Sequence, residues 1–142
     1  MTSASLACGV FVALAFLAAT QTPVKFTTVD RGQQSNIEEA RQAVARTSAE
    51  WTALWKQHAG DRPRPAVDLA KSMIVAVFLG SRPTGGFEVE ITGIEKEGAD
   101  LVVTWREHRP AKGAMLTQIL TMPFHLVATE KHSGPVKFKK FL

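Results

Sequence analysis

After residue 72 the chain consists of short apolar or alternating segments separated by turns. The segment 74–79 is apolar almost throughout, which is typical of a central strand covered on both faces. Farther along, apolar and polar residues alternate with a period of two, which predicts strands with one buried and one wet face. These alternating segments cover residues 87–92, 101–106, 120–126 and 136–139. We expect turns at 81–86 and 93–100, and Pro123 places its strand at an edge or a bulge.

The pattern is weaker between residues 20 and 46. Val24, Phe26 and Thr28 alternate with their neighbours and predict an edge strand. Residues 31–36 have the composition of a loop. Residues 37–46 contain glutamates and alanines that favour a helix, although they lack a wide apolar stripe. A further break in the pattern lies at 110–114, a segment that contains a proline and a glycine.

The firmest local prediction is a helix over residues 47–59. Thr47 can accept a hydrogen bond from the first turn, and Glu50 follows three residues later, as in a capping box. Apolar or aromatic side chains then recur at helical spacing, and Gly60 ends the helix. The residues on this face are Trp51, Leu54, Trp55 and His58.

One amphipathic helix followed by short strands and tight turns predicts an α+β fold. We expect the helix to pack on a twisted, mainly antiparallel sheet of about five to seven strands. A chain of 142 residues without internal repeats has room for one such domain, which we place at residues 20–142.

An uncharged apolar run covers residues 6–19 and ends in small residues. It is shorter than the roughly 20 apolar residues that span a membrane, so it predicts a signal peptide over residues 1–19. An uncleaved anchor and a buried N-terminal helix are the alternatives. A lipid anchor on Cys8 fits poorly, because this cysteine precedes most of the apolar run. We expect an exported protein, periplasmic, cell-surface or secreted, that meets the membrane only through this segment.

Composition narrows the classes of function further. The chain has 17 Lys and Arg against 13 Asp and Glu, a net charge of +4. This excess favours anionic surfaces but is small for a nucleic-acid-binding protein, so we expect no nucleic-acid partner. Cys8 is the only cysteine and would leave with the signal peptide. The mature chain would then have no disulfides, thiolate metal sites or cysteine catalysis.

Several motifs resemble the PrcB-like family, whose namesake is an accessory lipoprotein subunit of a bacterial cell-surface protease complex. The most distinctive is the turn Gly-Ser-Arg-Pro-Thr-Gly-Gly-Phe at 80–87, flanked by predicted strands. The resemblance extends from Ser48 to Val127. It also includes the Trp-Thr-Ala-Leu-Trp helix at 51–55, Pro-Ala-Val-Asp-Leu at 65–69, Pro110, and Thr-Met-Pro-Phe-His at 121–125.

This resemblance implies a PrcB-like α+β domain and an accessory role without catalysis. The family offers no established catalytic residues to transfer, and we expect neither a cofactor nor a metal. It implies an envelope or secreted protein as partner, with a protease as the candidate. The namesake's lipid anchor is not reproduced convincingly at Cys8.

The candidate binding site is the turn itself, with Arg82, Thr84, Gly85, Gly86 and Phe87. Adjacent glycines permit positive φ and leave backbone N–H groups that can form a nest for a carboxylate, assisted by Arg82 and the Thr84 hydroxyl. The alternative is structural: two strands need a tight connection, Pro83 stiffens its entry and the glycines satisfy its dihedral angles. A phosphate-binding loop is excluded, because the required motif and the following helix are absent.

The four histidines do not form metal-binding or catalytic motifs in the sequence. A hydrolase using His108 or His125 remains a minor alternative, which a histidine, a carboxylate and a hydroxyl in one cleft would support. We expect His125 on the wetter face of its strand. A second alternative is a small-ligand carrier, with an apolar cavity beside Trp51, Trp55 and Trp105.

The strand at 136–141 carries three lysines, and its role has two interpretations. Lysines on an edge strand guard against unwanted pairing with other chains. The same edge could accept an extended segment of an acidic partner. The sequence favours the guard, and it favours an exported binding or accessory module as the function.

Overall fold

Eight strands and one helix form three layers in the computed structural model, which describes residues 20–142. The predicted signal peptide and Cys8 lie outside these residues. Among the described residues, no helix has the length and apolar character needed to cross a membrane. The elements are β1 (Gln21–Pro23), β2 (Phe26–Gly32), β3 (Arg41–Ala45), α1 (Ser48–Ala59), β4 (Ser72–Phe78), β5 (Glu88–Glu97), β6 (Asp100–His108), β7 (Phe124–Glu130) and β8 (Val136–Lys140).

The strands divide into two four-stranded sheets. The middle sheet has the order β2-β7-β4-β3, and the outer sheet has the order β1-β5-β6-β8. All pairs are antiparallel except β6 with β8. The α+β class and the mainly antiparallel pairing are therefore confirmed. The predicted count of five to seven strands in one sheet is slightly low, because β1 and β3 are short edge strands with weak patterns.

The middle sheet is buried on both faces, which explains the continuous apolar run of β4. Successive side chains of a strand point to opposite faces, so each strand of the middle sheet contributes side chains to two separate cores. Met73, Val75 and Val77 pack between the two sheets. Ile74, Ala76 and Phe78 pack under the helix.

Helix α1 begins and ends as its sequence predicts. The Thr47 hydroxyl accepts a hydrogen bond from the Glu50 N–H at 3.1 Å, and Gly60 closes the helix with φ 61°. The two tryptophans are buried against the middle sheet and satisfy their ring N–H groups locally. Trp51 donates to the Pro65 carbonyl and Trp55 to the Arg62 carbonyl. The chain after the helix is therefore held against it.

The helical tendency of residues 37–46 is overridden by the sheet. Residues 41–45 form β3, which pairs antiparallel with β4. The buried strand β4 would otherwise leave one row of backbone donors and acceptors without partners, and this cost exceeds the small helix preference of alanine and arginine. The predicted loop at 31–36 also starts later than expected, because β2 continues to Gly32.

The predicted turn at 93–100 is wrong. Strand β5 continues to Glu97, and the turn consists of Gly98 and Ala99, with Glu97 paired to Asp100. Gly93 marks an irregularity within the strand, since the register with β6 shifts between Ile91 and Gly93. A glycine inside a strand often marks such a bulge instead of an end.

The prediction that Pro123 belongs to an edge strand or a bulge is also wrong. Strand β7 starts one residue later, at Phe124, and lies in the middle of its sheet between β2 and β4. Pro123 therefore does not interrupt the pairing of β7. Its carbonyl accepts a hydrogen bond from the Leu79 N–H at 3.0 Å, so the proline ends the preceding segment and leads into the strand.

Candidate functional site

The turn at 80–87 is tied to the segment that leads into β7. The Arg82 N–H donates to the Thr121 carbonyl at 2.7 Å, and the Thr121 N–H donates back to the Arg82 carbonyl at 2.9 Å. The buried Thr121 hydroxyl also donates to the Thr84 carbonyl at 2.9 Å. These three hydrogen bonds pair the turn with the segment around Thr121, so the turn is not a free hairpin tip.

The guanidinium group of Arg82 points into the protein. Its Nε donates to Glu107 Oε1 at 2.8 Å, and Nη1 donates to the carbonyls of Leu79 and Ser81, each at 3.1 Å. The Glu107 side chain is only 3% exposed, against 26% for Arg82. The hydrogen bond from Arg82 lowers the pKa of Glu107, against the opposing effect of burial. Lys140 Nζ lies 3.4 Å from the other carboxylate oxygen.

The predicted nest of backbone donors is engaged within the chain at Gly85. Its N–H donates to the Thr117 carbonyl at 2.9 Å. The Thr84 hydroxyl, expected to assist a bound carboxylate, donates to the Gly85 carbonyl at 2.9 Å. The Gly85 N–H therefore holds the turn against the following loop, and the Thr84 hydroxyl is used within the turn itself.

Gly86 and Phe87 complete the packing of the turn. Gly86 has φ 89°, and a Cβ at this position would lie 2.8 Å from Pro110 Cβ and 2.9 Å from Leu116 Cδ2. Phe87 is half-buried, with the Arg82 guanidinium carbon 6.0 Å from its ring centre. The five predicted site residues therefore lie together in the turn. Their polar groups bond within the protein, and the two glycines allow the loop that contains Leu116 and Thr117 to pack closely against the turn.

That loop, residues 110–120, exposes large apolar side chains, and we call it the apolar loop. Met115 is fully exposed, and Ile119 and Leu120 are 50% and 54% exposed. The loop contains no Asp or Glu, and its only charged residue is Lys112. The sequence pattern predicts only a break at 110–114 and a strand that includes Leu120. The pairs Met-Leu and Ile-Leu in a segment without acidic residues were the available signal.

The close fit of the turn and the apolar loop gives a stability prediction. Gly86→Ala should lower the free energy of unfolding by about 1–2 kcal/mol, because alanine is strained at positive φ and its methyl group meets Pro110. Gly85→Ala is the matched control, since its Cβ would lie 3.5 Å from Thr117 Cβ in ordinary contact. Urea denaturation measures both. Equal stability of the two variants would contradict the tight packing at Gly86.

His125 lies in the interior and not on a wet face, so that prediction is wrong. Its ring is 3% exposed, and Nδ1 accepts a hydrogen bond from the Ile91 N–H at 2.9 Å. Nε2 therefore carries the proton and donates to the Thr28 hydroxyl at 2.8 Å. Burial lowers the pKa of His125 to about 4, with a smaller contribution from Arg31. The residue links the two sheets as a neutral side chain.

The structure also brings together a serine, a histidine and an aspartate that the sequence did not connect. Ser35 Oγ lies 2.8 Å from His58 Nδ1, and His58 Nε2 lies 2.9 Å from Asp30 Oδ2. The three residues come from the loop after β2, from the last turn of α1 and from β2. Their combination is the one that would support a hydrolase.

The burial and the hydrogen bonds of Ser35, His58 and Asp30 indicate a structural role for this cluster. Ser35 is 1% exposed, whereas a nucleophile must reach its substrate. Its oxygen accepts a hydrogen bond from the Ile37 N–H. Because the Asp30 carboxylate accepts from His58 Nε2, Nδ1 of the neutral ring accepts the Ser35 proton. Burial is the largest effect on His58 and lowers its pKa, so the ring is neutral. The ring packs against aromatic side chains, with the Phe124 ring centre 4.2 Å away.

Across residues 20–142, no three His, Cys, Asp or Glu side chains are grouped so as to hold a metal ion. The three tryptophans are packed into two different cores, Trp51 and Trp55 under the helix and Trp105 between the sheets. This packing argues against an apolar cavity shared by these side chains.

Comparison with known proteins supports the family resemblance. A family model described as PrcB C-terminal matches residues 73–130, and this confirms the PrcB-like resemblance over that part of the chain. The matched range runs from β4 to β7 and includes the turn and the apolar loop. No curated protein and no solved structure gives a significant match.

Proposed function

We propose that this PrcB-like chain is an exported, non-catalytic accessory module that binds a larger envelope or secreted protein through its apolar loop. A subunit of a protease complex is the role that the family description supports. Export rests on the predicted signal peptide at residues 1–19.

The exposed side chains of the apolar loop carry this proposal. Large apolar groups in water are unfavourable, and burial against a partner removes that cost at roughly 25 cal/mol per Å² of apolar surface. Monomeric proteins rarely keep such groups clustered on the surface without a binding role. Met115, Ile119 and Leu120 lie within six residues of one another and have no acidic neighbour in the loop.

The turn at 80–87 has a supporting part in this proposal. Its backbone N–H and carbonyl groups bond to Thr117, within the apolar loop, and to Thr121, just beyond it. Ordering the loop before binding reduces the entropy lost when the partner is bound. The turn therefore positions the contact surface, and Arg82 contributes through its internal ion pair.

The partner can be captured through the apolar loop in the cells that export the protein. A photo-activatable cross-linking residue at position 115 should trap a specific envelope or secreted protein, and the same residue at the exposed position 66 should not. Mass spectrometry identifies the partner and also gives the N-terminus of the captured chain, which we expect near Thr20.

The variant Met115→Asp tests the contact energetically. We expect it to weaken binding of the purified partner by about tenfold or more, because a carboxylate replaces an apolar group that the partner would bury in the complex. Ala66→Asp, which adds the same charge in the segment between α1 and β4, is the matched control and should bind as wild type does. Unaltered affinity of Met115→Asp, with thermal stability also unaltered, would show that the loop is not the contact.

A further inference from the structure

We propose that the open edge of β8 binds an extended, acidic segment of the partner as an added strand of the outer sheet. This inference rests on the proposed function, because the segment belongs to the protein that the apolar loop contacts. Within residues 20–142, β8 ends its sheet and pairs with β6 alone. Such an edge presents backbone donors and acceptors that another extended chain can use.

The hydrogen bonds at both ends of β8 determine which backbone groups face outward. The Leu101 N–H donates to the Pro135 carbonyl at 2.9 Å, and the Phe141 N–H donates to the Trp105 carbonyl at 2.7 Å. Successive residues of a strand direct their backbone groups to alternate sides, so the odd-numbered residues face β6. The outward groups are those of Val136, Phe138 and Lys140.

The charge around this edge selects an acidic segment. Residues 100–142 contain 7 Lys or Arg against 3 Asp or Glu, whereas residues 1–99 contain 10 against 10. Of these three acidic side chains, Glu107 is buried against Arg82 and Asp100 pairs with Lys137 at 2.7 Å. Lys139 is exposed and has no ion-pair partner among the described residues. A positive surface of this kind steers an acidic chain to the edge and disfavours a basic one.

The two faces of β8 require alternating side chains in the added strand. Lys137 and Lys139 lie on the exposed face of the outer sheet, where acidic residues of a neighbouring strand would lie beside them. Val136 and Phe138 are half-buried and pack against the core between the sheets. Apolar residues of the added strand would extend this core. The expected segment therefore alternates acidic and apolar residues.

The apolar residues of the added strand would lie beside β3, on the side of the sandwich where β8 ends the outer sheet. Strand β3 is one edge of the middle sheet and β8 is one edge of the outer sheet, and Val44 of β3 is half-buried against the same core as Phe138. Arg46 bridges the two edges at one end, because it donates to the carbonyls of His132 and Gly134 at 3.1 and 2.8 Å.

A second copy of this chain is a poor occupant of the edge. Pairing two β8 strands would bring the lysines of both copies together, and like charges on neighbouring strands repel. Edge lysines act against self-pairing in this way. They do not act against an acidic strand, so the guard and the binding edge are compatible properties of β8.

Amide hydrogen exchange measured by NMR on residues 20–142 tests the proposal directly. The probe is a synthetic peptide of four Glu-Val repeats, and the matched control peptide has four Lys-Val repeats. At saturating concentration the acidic peptide should slow exchange of the Val136, Phe138 and Lys140 amides by about tenfold, because they gain hydrogen-bond acceptors. The basic peptide should leave them unchanged. Absence of protection at these three amides would overturn the proposal.

Charge variants separate edge binding from general attraction. Lys139→Glu should weaken binding of the acidic peptide about threefold or more, whereas Lys25→Glu, on the far side of the outer sheet, should not. Equal weakening by both variants would overturn the proposal in favour of non-specific attraction. If anionic phospholipid vesicles protect these β8 amides and the acidic peptide does not, the proposal is overturned, and the positive surface binds a lipid surface instead.

The peptide experiment is independent of the apolar loop. Met115→Asp should lose the partner but still show peptide-dependent protection of the β8 amides. If Met115→Asp still binds the partner and still shows protection of the β8 amides, the proposed function is contradicted and the edge inference is not. If Met115→Asp loses the partner but the peptide never protects the β8 amides, the edge inference is contradicted and the proposed function is not.

Discussion

Arg82→Met should lower the free energy of unfolding by about 2–3 kcal/mol, because it leaves the Glu107 carboxylate buried without its main partner. This value is below the roughly 3–5 kcal/mol for fully buried pairs, since a quarter of the Arg82 side chain is exposed and two cations remain near Glu107, Lys140 at 3.4 Å and Arg109 at 3.9 Å. Urea denaturation at pH 7 measures the difference. The loss of two carbonyl contacts, to Leu79 and Ser81, acts in the same direction.

A second substitution should recover most of this loss. In Arg82→Met/Glu107→Met no buried charge remains, and paired replacement of a buried ion pair by apolar residues is often neutral. Lys140→Met is the matched control, since it removes only the half-exposed partner and should cost roughly 0–1 kcal/mol. If the double variant is less stable than Arg82→Met, the unpaired charge is not the cause of the loss.

This pair also changes how charge reversal at Arg82 must be interpreted. If Arg82 were free to bind a partner's carboxylate, as the predicted nest requires, charge reversal would weaken partner capture and leave the fold intact. In the structure it would place two carboxylates together at a buried site. Loss of partner binding by such a variant would therefore report unfolding of the turn and loop, and Met115→Asp is the cleaner test.

Acidification from pH 7 to pH 4 should lower the free energy of unfolding by about 3 kcal/mol through His125 alone. The folded pKa of about 4 is below the unfolded value of 6.5, so the folded state keeps the ring neutral while the unfolded state binds a proton. The stabilisation is complete above pH 6.5 and is lost as the pH falls to about 4. His58, whose pKa is also lowered by burial, contributes in the same direction.

His125→Asn isolates this contribution. Asparagine can still accept from the Ile91 N–H but does not titrate, so the variant should be less pH-dependent than wild type between pH 6.5 and 4. Thr28→Val removes the other hydrogen bond of the ring and keeps its titration, so it should retain the wild-type slope. Chemical denaturation at several pH values measures these slopes. A wild-type stability that is constant over this range would contradict the neutral, buried histidine.

Much of the fold could be predicted from the sequence because its signals are local. The capping residues Thr47 and Glu50 and the spacing of the tryptophans determine helix α1. The apolar run at 74–79 marks the strand that is buried on both faces. The distinctive turn at 80–87 lies within the range that the family model matches. Each of these features depends on residues that are close together along the chain.

The tertiary structure decided the features that depend on distant partners. Strand β3 forms because β4 supplies its hydrogen bonds, against the helical preference of its own residues. Arg82 is drawn inward by a carboxylate 25 residues away, and His125 is buried by contacts to Thr28 and Ile91. Side-chain burial and pairing are set by which strands become neighbours, and periodicity along the chain does not encode that choice.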